Sequence, residues 1–597
     1  MAGSERLFLN VEKSVSGRPW VDRLSEEGAR IAAAMSQQFG ISEIVTRVLA
    51  ARGVALEETE DFLNPTIRHL MPDPATLTAM DALTERLADA IARGERIALF
   101  GDYDVDGAAS CALMTRFLRA FGIEPDVHIP DRIYEGYGPN VGAMDKLIDG
   151  GASLIITLDC GTTSEEPIAH AKSRGVDVLV IDHHLTDADL PVADAIVNPN
   201  RPDDISGLGH LCAAGVTFMV LVSVNRALRG KGLAANAPNL MNLVDLVALA
   251  TVCDVVPLTG LNRAFVVRGI EIMRKGANRG IAALALAARL SGPVEPYHLG
   301  YLIGPRINAG GRIGDAALGA RLLSSDDEHE CLHIAGQLNE LNVERQRIEK
   351  QAVDEAAATA DAEIGEGKGP PLIVVASPEW HQGVVGLVAA RLKERFGRPA
   401  FAIAQGANGG GTGSGRSVPG VDLGRAVLAA VEAGIIAKGG GHAMAAGITL
   451  SPGQLGEFRS FMTEALAEDI AEARRADKVK IDAALTARGA TTDFIHEVDR
   501  AGPFGSGNPS PVFALPHHRI TFADIVGEGG HVRVTLAAGD GARLNAIAFR
   551  AAGTPLGDAL MEGRDAGPIH LCGGLSINHW QGQASAQLRI IDAAHPG

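Results

Sequence analysis

The stretch Ile97 to Gly107, IALFGDYDVDG, decides the fold. Its first four residues form an unbroken apolar run, as in a strand buried on both faces, and Gly101 releases the chain into a loop. Three carboxylates follow at alternate positions: Asp102, Asp104 and Asp106. On an extended backbone a period of two sends all three to one side. Carboxylates held together repel and raise one another's pKa, so such a group at a strand end points to bound cations. The D-x-D-x-D-G spacing also opens an EF-hand loop, but the twelfth position is Leu113, where calcium requires a bidentate Glu. The remaining alternative for this stretch alone is a solvated acidic loop.

Working outward, strand-like apolar runs alternate with helical stretches: AASCALMTRFLRAFG, DVHIP, a helix near Val141 to Asp149, SLIITL, a helix near Glu165 to Arg174, and VDVLVI. That alternation predicts βαβ units and a parallel sheet, whose ligands sit beyond the carboxyl ends of the strands. SLIITL is followed by Asp159, and VDVLVI by Asp182, His183 and His184. Three strands thus deliver carboxylates and imidazoles to one edge, which sets the solvated loop aside. In LVDLVALATVCDVVPL, helical spacing ends at Asp254; Asp245 is the competitor there, better suited to a cap or a helix surface. On an extended backbone His183 and His184 point opposite ways, one toward a metal and the other toward a substrate phosphate or a proton in transfer. Carboxylates with one or two imidazoles suit Mn²⁺ or Mg²⁺, with nitrogen favouring Mn²⁺ and zinc an alternative. Five or six such ligands suffice for two ions roughly 3.5 to 4 Å apart, the clamp used in phosphoryl transfer.

With 597 residues the chain exceeds one core, and three or four domains are expected. A composition 46% hydrophobic and 21% charged is that of an ordinary soluble protein. The 4% aromatic content makes base-stacking surfaces sparse. A net charge of −18 argues against broad adhesion to nucleic acid but leaves room for a local basic channel. Six scattered cysteines without a C-x-x-C pair fit reduced thiols. The N-terminal MAGSERLFLNVEKS lacks a signal-peptide core, and the apolar stretch Leu211 to Val224 reads as a buried helix rather than a membrane span. A cytoplasmic protein without membrane association is expected.

Residues 326–364 read as one long helix with a solvated charged face, and Gly365 to Pro371 (GEGKGPP) as a boundary. LIVVAS is then a strand, and HQGVVGLVAARLKERFG a helix whose start exposes backbone N–H groups. GANGGGTGSGRS resembles a phosphate-cradling loop without the Lys of a Walker A motif; Ser414 and Arg416 suit a terminal phosphate. In GGGHAMAAG, Gly440 and Gly441 allow close backbone approach and His442 can reach phosphate. Arg306 and Arg312 in GPRINAGGR are candidate phosphate clamps that the sequence does not separate, with a structural salt bridge as the alternative, and Arg132 is a weaker candidate of the same kind. From about 476 onward, short alternating strands between Gly-rich turns predict a β-domain.

DYDVDG, LDCG, DHH and ATVCD, in this order, resemble the four motifs of the DHH phosphoesterases. GPRINAGGR, HQGVVGLVAARL, GSGRS, GGGHAMAAG and PFGSGNPSP narrow the resemblance to the RecJ family, single-strand-specific 5′ to 3′ DNA exonucleases, from about residue 70 to the end. The fourth motif departs from that family's common GT-x-AD form while keeping its Asp. The resemblance implies Asp104, Asp106, Asp159, His183 and Asp254 as ligands of Mn²⁺ or Mg²⁺, with His184 beside the substrate phosphate. Asp102 stands where many relatives in other subfamilies lack a carboxylate, and its role is less fixed. The implied architecture is an α/β multidomain chain. A helical segment (1–70) precedes a parallel-sheet DHH domain (71–290) and a helical connector (291–365); a second α/β, DHH-associated domain (366–472) and an OB-fold domain (473–597) follow. The implied activity is degradation of single-stranded DNA to 5′-mononucleotides in repair and recombination. Ser414 and Arg416 would hold the 5′ end, and a narrow cleft would exclude duplex. A single-strand DNA-binding protein and a RecQ-type helicase are implied partners. The alternatives are a DHH phosphoesterase acting on short oligonucleotides or cyclic dinucleotides, which the β-domain disfavours, and an inactive DNA-binding scaffold, which the intact ligand set disfavours.

Overall fold

This computed structural model describes residues 6–186, 189–365, 369–527, 529–564, 567–580 and 583–596. The boundary expected at 365–371 falls partly outside them. The chain forms two compact units: Met71–Val256 with Phe265–Ala476, and Met1–Leu70 with Pro257–Ala264 and Asp477–Gly597.

In the larger unit β1 (Ile97–Gly101), α1 (Val105–Arg119), β2 (Asp126–His128), α2 (Val141–Asp149), β3 (Leu154–Leu158), α3 (Glu165–Ser173), β4 (Asp177–Ile181) and β5 (Ala195–Val197) build a parallel sheet. Its order is β2-β1-β3-β4-β5, so the strand order switches sides between β1 and β3, where sheets of this kind open a crevice for ligands. Every residue of β1 and β3 is buried, which is why both read as continuous apolar runs. Gly101 pairs with Leu158, and Leu158 with Ile181, so Asp102, Asp159 and Asp182 leave the sheet at one level. α4 (Ala213–Gly230) and α5 (Val244–Cys253) pack on α1.

α6 (Gly304–Ile313) leads by way of a further short helix to α7 (Glu328–Ile364), whose 37 residues make a rod about 55 Å long. The expected solvated face of α7 is only partly present. Asn342, Arg345 and Glu349 are buried, because α6 and α8 (Val385–Phe396) pack along the helix. Arg345 donates to both Glu349 and Asn342, and Arg391 closes the strip on Glu349 at 3.1 Å.

The second sheet contains β6 (Ile373–Ser377), β7 (Ala400–Gln405), β8 (Gly411–Arg416), β9 (Lys438–His442) and β10 (Ala445–Leu450) in the order β9-β10-β8-β7-β6. GSGRS, expected in a cradling loop, instead lies mostly in β8. The reason is packing: a Cβ on Gly413 would fall 2.7 Å from Ile403 and one on Gly415 2.4 Å from the Phe401 ring. The alternate glycines admit those core side chains, and Ser414 and Arg416 turn to the other face.

In the smaller unit Trp20–Asp22 pairs in parallel with Val479–Ile481, tying the N-terminal residues to the C-terminal β-structure. There β11 (Phe513–Val526), β12 (His531–Ala537), β13 (Arg543–Ala548), β14 (Ile569–Trp580) and β15 (Gln583–Ala594) pair in the order β11-β12-β13-β15-β14, and β14 also pairs with β11. Among the described residues no helix is long and apolar enough to cross a membrane. All six cysteines are free thiols.

Candidate metal centre

The three aspartates after β1 do not stay on an extended backbone, as the sequence suggested. Asp104 is the N-cap of α1, accepting the N–H groups of Asp106 (2.8 Å) and Gly107 (3.1 Å), and Asp106 lies in the first helical turn. The α1 N-terminus packs so tightly that a Cβ on Gly107 would meet the Asp102 backbone at 2.4 Å. Asp106 in turn accepts the first N–H groups of α4, from Ala213 at 2.6 Å and Ala214 at 2.8 Å. Asp159 follows β3 with φ of +65°, a left-handed conformation uncommon outside glycine.

The two histidines are not splayed apart either. Both Asp182 carboxylate oxygens are used: one accepts the N–H of Thr162 and, at 2.7 Å, its hydroxyl; the other accepts the His183 and His184 N–H groups and His184 Nδ1. These bonds bend the chain and set the rings 4.7 Å apart. His183 Nδ1 lies 3.1 Å from the Leu211 carbonyl, which can only accept, so Nδ1 carries the hydrogen. Nε2 is then a lone pair, 3.3 Å from Asp159 and 3.7 Å from both Asp106 and Asp254. Burial and the neighbouring His184 push the His183 pKa down to about 4, which keeps the ring neutral. For His184 burial also pulls the pKa down, but the Asp182 hydrogen bond and charge prevail and raise it to about 9.

The ligand atoms form three overlapping groups, each within 4.8 Å: Asp159 with His183 and His184; Asp106 with His183 and Asp254; Asp102 with Asp104 and Asp159. Burial and the charge of Asp104 raise Asp106 to about 7; burial and Asp106 raise Asp254 to about 9 and hold Asp159 well above the carboxylate range. Burial and Asp104 do the same to Asp102. One oxygen of Asp102 and one of Asp159 are buried without a hydrogen-bond partner. A lone pair aimed at carboxylates, with orphaned oxygens beside it, is an arrangement that divalent cations satisfy and protons alone do not. The residues therefore fit Mn²⁺ or Mg²⁺. Asp245, in contrast, is no surface residue: it is buried in α5 away from these groups.

A cationic cluster adjoins the acidic one. Arg132 stacks over the Tyr103 ring at 4.7 Å, and a Cβ on Gly311 would fall 2.5 Å from the Tyr103 carbonyl. Arg312, the next residue of α6, donates to the Gly383 carbonyl at 3.0 Å. Burial, together with Arg132, Arg345 and Arg416, pushes its pKa down to about 9. Arg416 reaches Ser414 Oγ at 2.8 Å. The structure thus separates the two arginines of GPRINAGGR. Arg306 is held by Asn339 (3.1 Å) and the Leu302 carbonyl (2.6 Å), while Arg312 joins Arg132, Arg416 and Ser414.

Across β8, β10 and β9, Ser414 is level with Gly447 and Gly440, and Arg416 with Ala445 and His442, so these side chains share one face. Gly441 faces the other way; its Cβ would strike the Ala445 carbonyl at 2.3 Å, so hairpin packing requires the glycine. Tyr137 escaped the sequence reading although it sits at the centre, its hydroxyl 3.2 Å from the His184 ring and 3.4 Å from the Asp159 carbonyl. Its signal was local: the flanking Gly136 and Gly138 both have positive φ, a turn that aims one aromatic residue.

Three family models match this chain: the DHH family N-terminal domain over residues 96–251, the DHHA1 domain over 369–468 and the RecJ OB domain over 481–592. The chain is 35% identical over 564 residues to the single-stranded-DNA-specific exonuclease RecJ of Escherichia coli, covering 93% of this chain and 96% of that protein. It is similar to the crystal structure of Thermus thermophilus RecJ in complex with Mn²⁺, with a TM-score of 0.77 and 28% identity over 96% of this chain and 79% of that one. The Mg²⁺ complex of RecJ from the same organism gives 0.71 and 27%, over 96% and 78%. On its sequence, its domains and its acidic centre, the chain belongs to the RecJ family.

Proposed function

We propose that this chain is a metal-dependent exonuclease that degrades single-stranded DNA from its 5′ end to 5′-mononucleotides. The carrying observation is one edge of a parallel sheet on which carboxylates and imidazoles overlap as cation-binding groups, beside a cluster of arginines.

In this reading Asp102, Asp104, Asp106, Asp159, His183 and Asp254 hold two divalent cations. When bound, the ions neutralise charge on the attacking and leaving oxygens of the phosphodiester. Asp182 fixes both histidines, and protonated His184 donates to a non-bridging phosphate oxygen as negative charge develops. Arg312, Arg416 and Ser414, with Arg132, grip the 5′-terminal phosphate, which gives polarity. Gly440 and His442 extend that face, and Arg306 braces α6 against α7. The OB domain supplies further single-strand binding. Family membership supports work in repair and recombination in the cytoplasm, alongside a single-strand DNA-binding protein and a RecQ-type helicase.

The test is digestion of one oligonucleotide labelled at its 5′ or 3′ end, with Mn²⁺ or with EDTA, by the wild type and Asp106→Asn. Immediate mononucleotide release from the 5′ label, a shrinking ladder from the 3′ label, and neither with EDTA or the variant are expected. Release from the 3′ end first, or cleavage that persists in EDTA, overturns the reading.

A further inference from the structure

The chain is poor in aromatic residues, yet all five of its tyrosines lie in the unit that carries the metal centre. Tyr103 and Tyr137 belong to the centre itself. Tyr297 and Tyr301 do not, and neither touches the metal centre or the arginine cluster. They stand four residues apart in the helical segment 296–303 that leads into α6, with rings stacked at 4.8 Å and 23°. Tyr297 is 55% and Tyr301 69% exposed, whereas Leu299 and Ile303 are buried. Stacked on each other and open to water, the two rings present a flat π-surface with a polar edge. The turn Leu299–Ile303 is a π-helix, a form that concentrates at functional sites.

The position of the pair ties it to the metal centre. Gly300 and Gly304 turn the segment against the end of α5: a Cβ on Gly304 would lie 2.5 Å from Cys253 Sγ, and one on Gly300 3.6 Å from Val252. The Cys253 thiol also donates to the Leu299 carbonyl at 3.4 Å. The next residue is Asp254, which faces His183 in the centre. The segment is therefore pinned to the helix end that delivers a candidate ligand. From there α6 runs from Gly304 to Arg312, about 12 Å, and reaches the arginine cluster. The two ends of α6 mark two ends of a path, with the phosphate grip at one end and the tyrosines at the other.

We propose that Tyr297 and Tyr301 form a base-stacking platform for single-stranded DNA on the 3′ side of the scissile bond. The proposal rests on the exonuclease reading above. Every base offers a π-face, so the platform grips without reading sequence.

The experiment is an abasic scan. Oligonucleotides with single abasic sites at successive positions from the 5′ end are digested by the wild type, Tyr301→Ala, Tyr301→Phe and the double variant Tyr297→Ala/Tyr301→Ala. In the wild type one or two positions beyond the scissile bond should raise KM by roughly five- to a hundredfold, the range of a lost base stack. Tyr301→Ala should raise KM of the intact oligonucleotide to a similar degree and abolish that positional sensitivity, while Tyr301→Phe, which keeps the π-face, retains it. The platform is overturned if no position is sensitive in the wild type, a result independent of any variant's folding, or if the sensitivity survives in the double variant. A wild type that does not digest single strands at all would instead remove the exonuclease reading.

Discussion

Asp245 tests how this fold treats buried charge. Its side chain lies in the first turn of α5; one oxygen accepts the Leu246 N–H at 2.9 Å and the other is buried without a partner. Burial raises its pKa from 3.8 to about 6, against the Leu246 bond and the charge of Arg116. A folded-state pKa above the unfolded value means that the contribution is fully present below pH 3.8 and is lost as pH rises through 6. By linkage the ionised carboxylate costs about 3 kcal/mol at pH 8 and only about 0.6 kcal/mol at pH 4. Asp245→Asn removes that cost but buries an amide N–H₂ where the orphan oxygen stood, at about 1 kcal/mol. The expected net gain is about 2 kcal/mol at pH 8, vanishing near pH 4. Urea denaturation followed by circular dichroism at both pH values checks it. A variant no more stable than wild type at pH 8, or a gain of equal size at pH 4, refutes the reasoning.

Adding Mn²⁺ to metal-free protein should raise its melting temperature, and more so at pH 8 than at pH 6. Protons on carboxylates whose pKa values reach about 7 at Asp106 and about 9 at Asp254 compete with the ion, so a shift independent of pH would count against the assigned ligands. Gly311→Ala should cost about 1–3 kcal/mol, because its Cβ would meet the Tyr103 carbonyl at 2.5 Å, and should lower cleavage at least tenfold. Gly336→Ala in α7, where a Cβ meets nothing within 4 Å, should instead stabilise by up to about 1 kcal/mol, as parallel melts would show.

The sheet edge was legible because buried parallel strands read as apolar runs, and the first polar residue after each run marks the strand end. What stayed hidden was set by contacts distant in sequence. The alternation of Asp102, Asp104 and Asp106 suggested one extended face, but a helix N-terminus needs a cap, and Asp104 provides it by starting α1 at once. The adjacent histidines suggested opposite directions until the Asp182 carboxylate gathered both backbone N–H groups. For Asp245 the sign lay in its neighbours: VDLVALATVC is apolar all round, the mark of a helix buried on every face, and the carboxylate goes in with it. Arg306 and Arg312 sit on one ten-residue helix and are told apart by what lies beyond it, Asn339 for one and Gly383 with the other arginines for the other.

Charge balance then explains how a chain of net charge −18 can take up a polyanion at this site. Five carboxylates, Asp102, Asp104, Asp106, Asp159 and Asp254, crowd the centre, while the Asp182 charge is offset by protonated His184. Without cations such a centre repels phosphate or fills with protons, as the raised pKa values of its acids indicate. Under the proposed assignment two divalent ions offset nearly all of that charge, and Arg132, Arg312 and Arg416 leave the surroundings net positive. On that assignment the ions that would assist cleavage would also convert the site from one that excludes DNA into one that receives it, so affinity for the 5′ end and catalysis would draw on a single electrostatic switch.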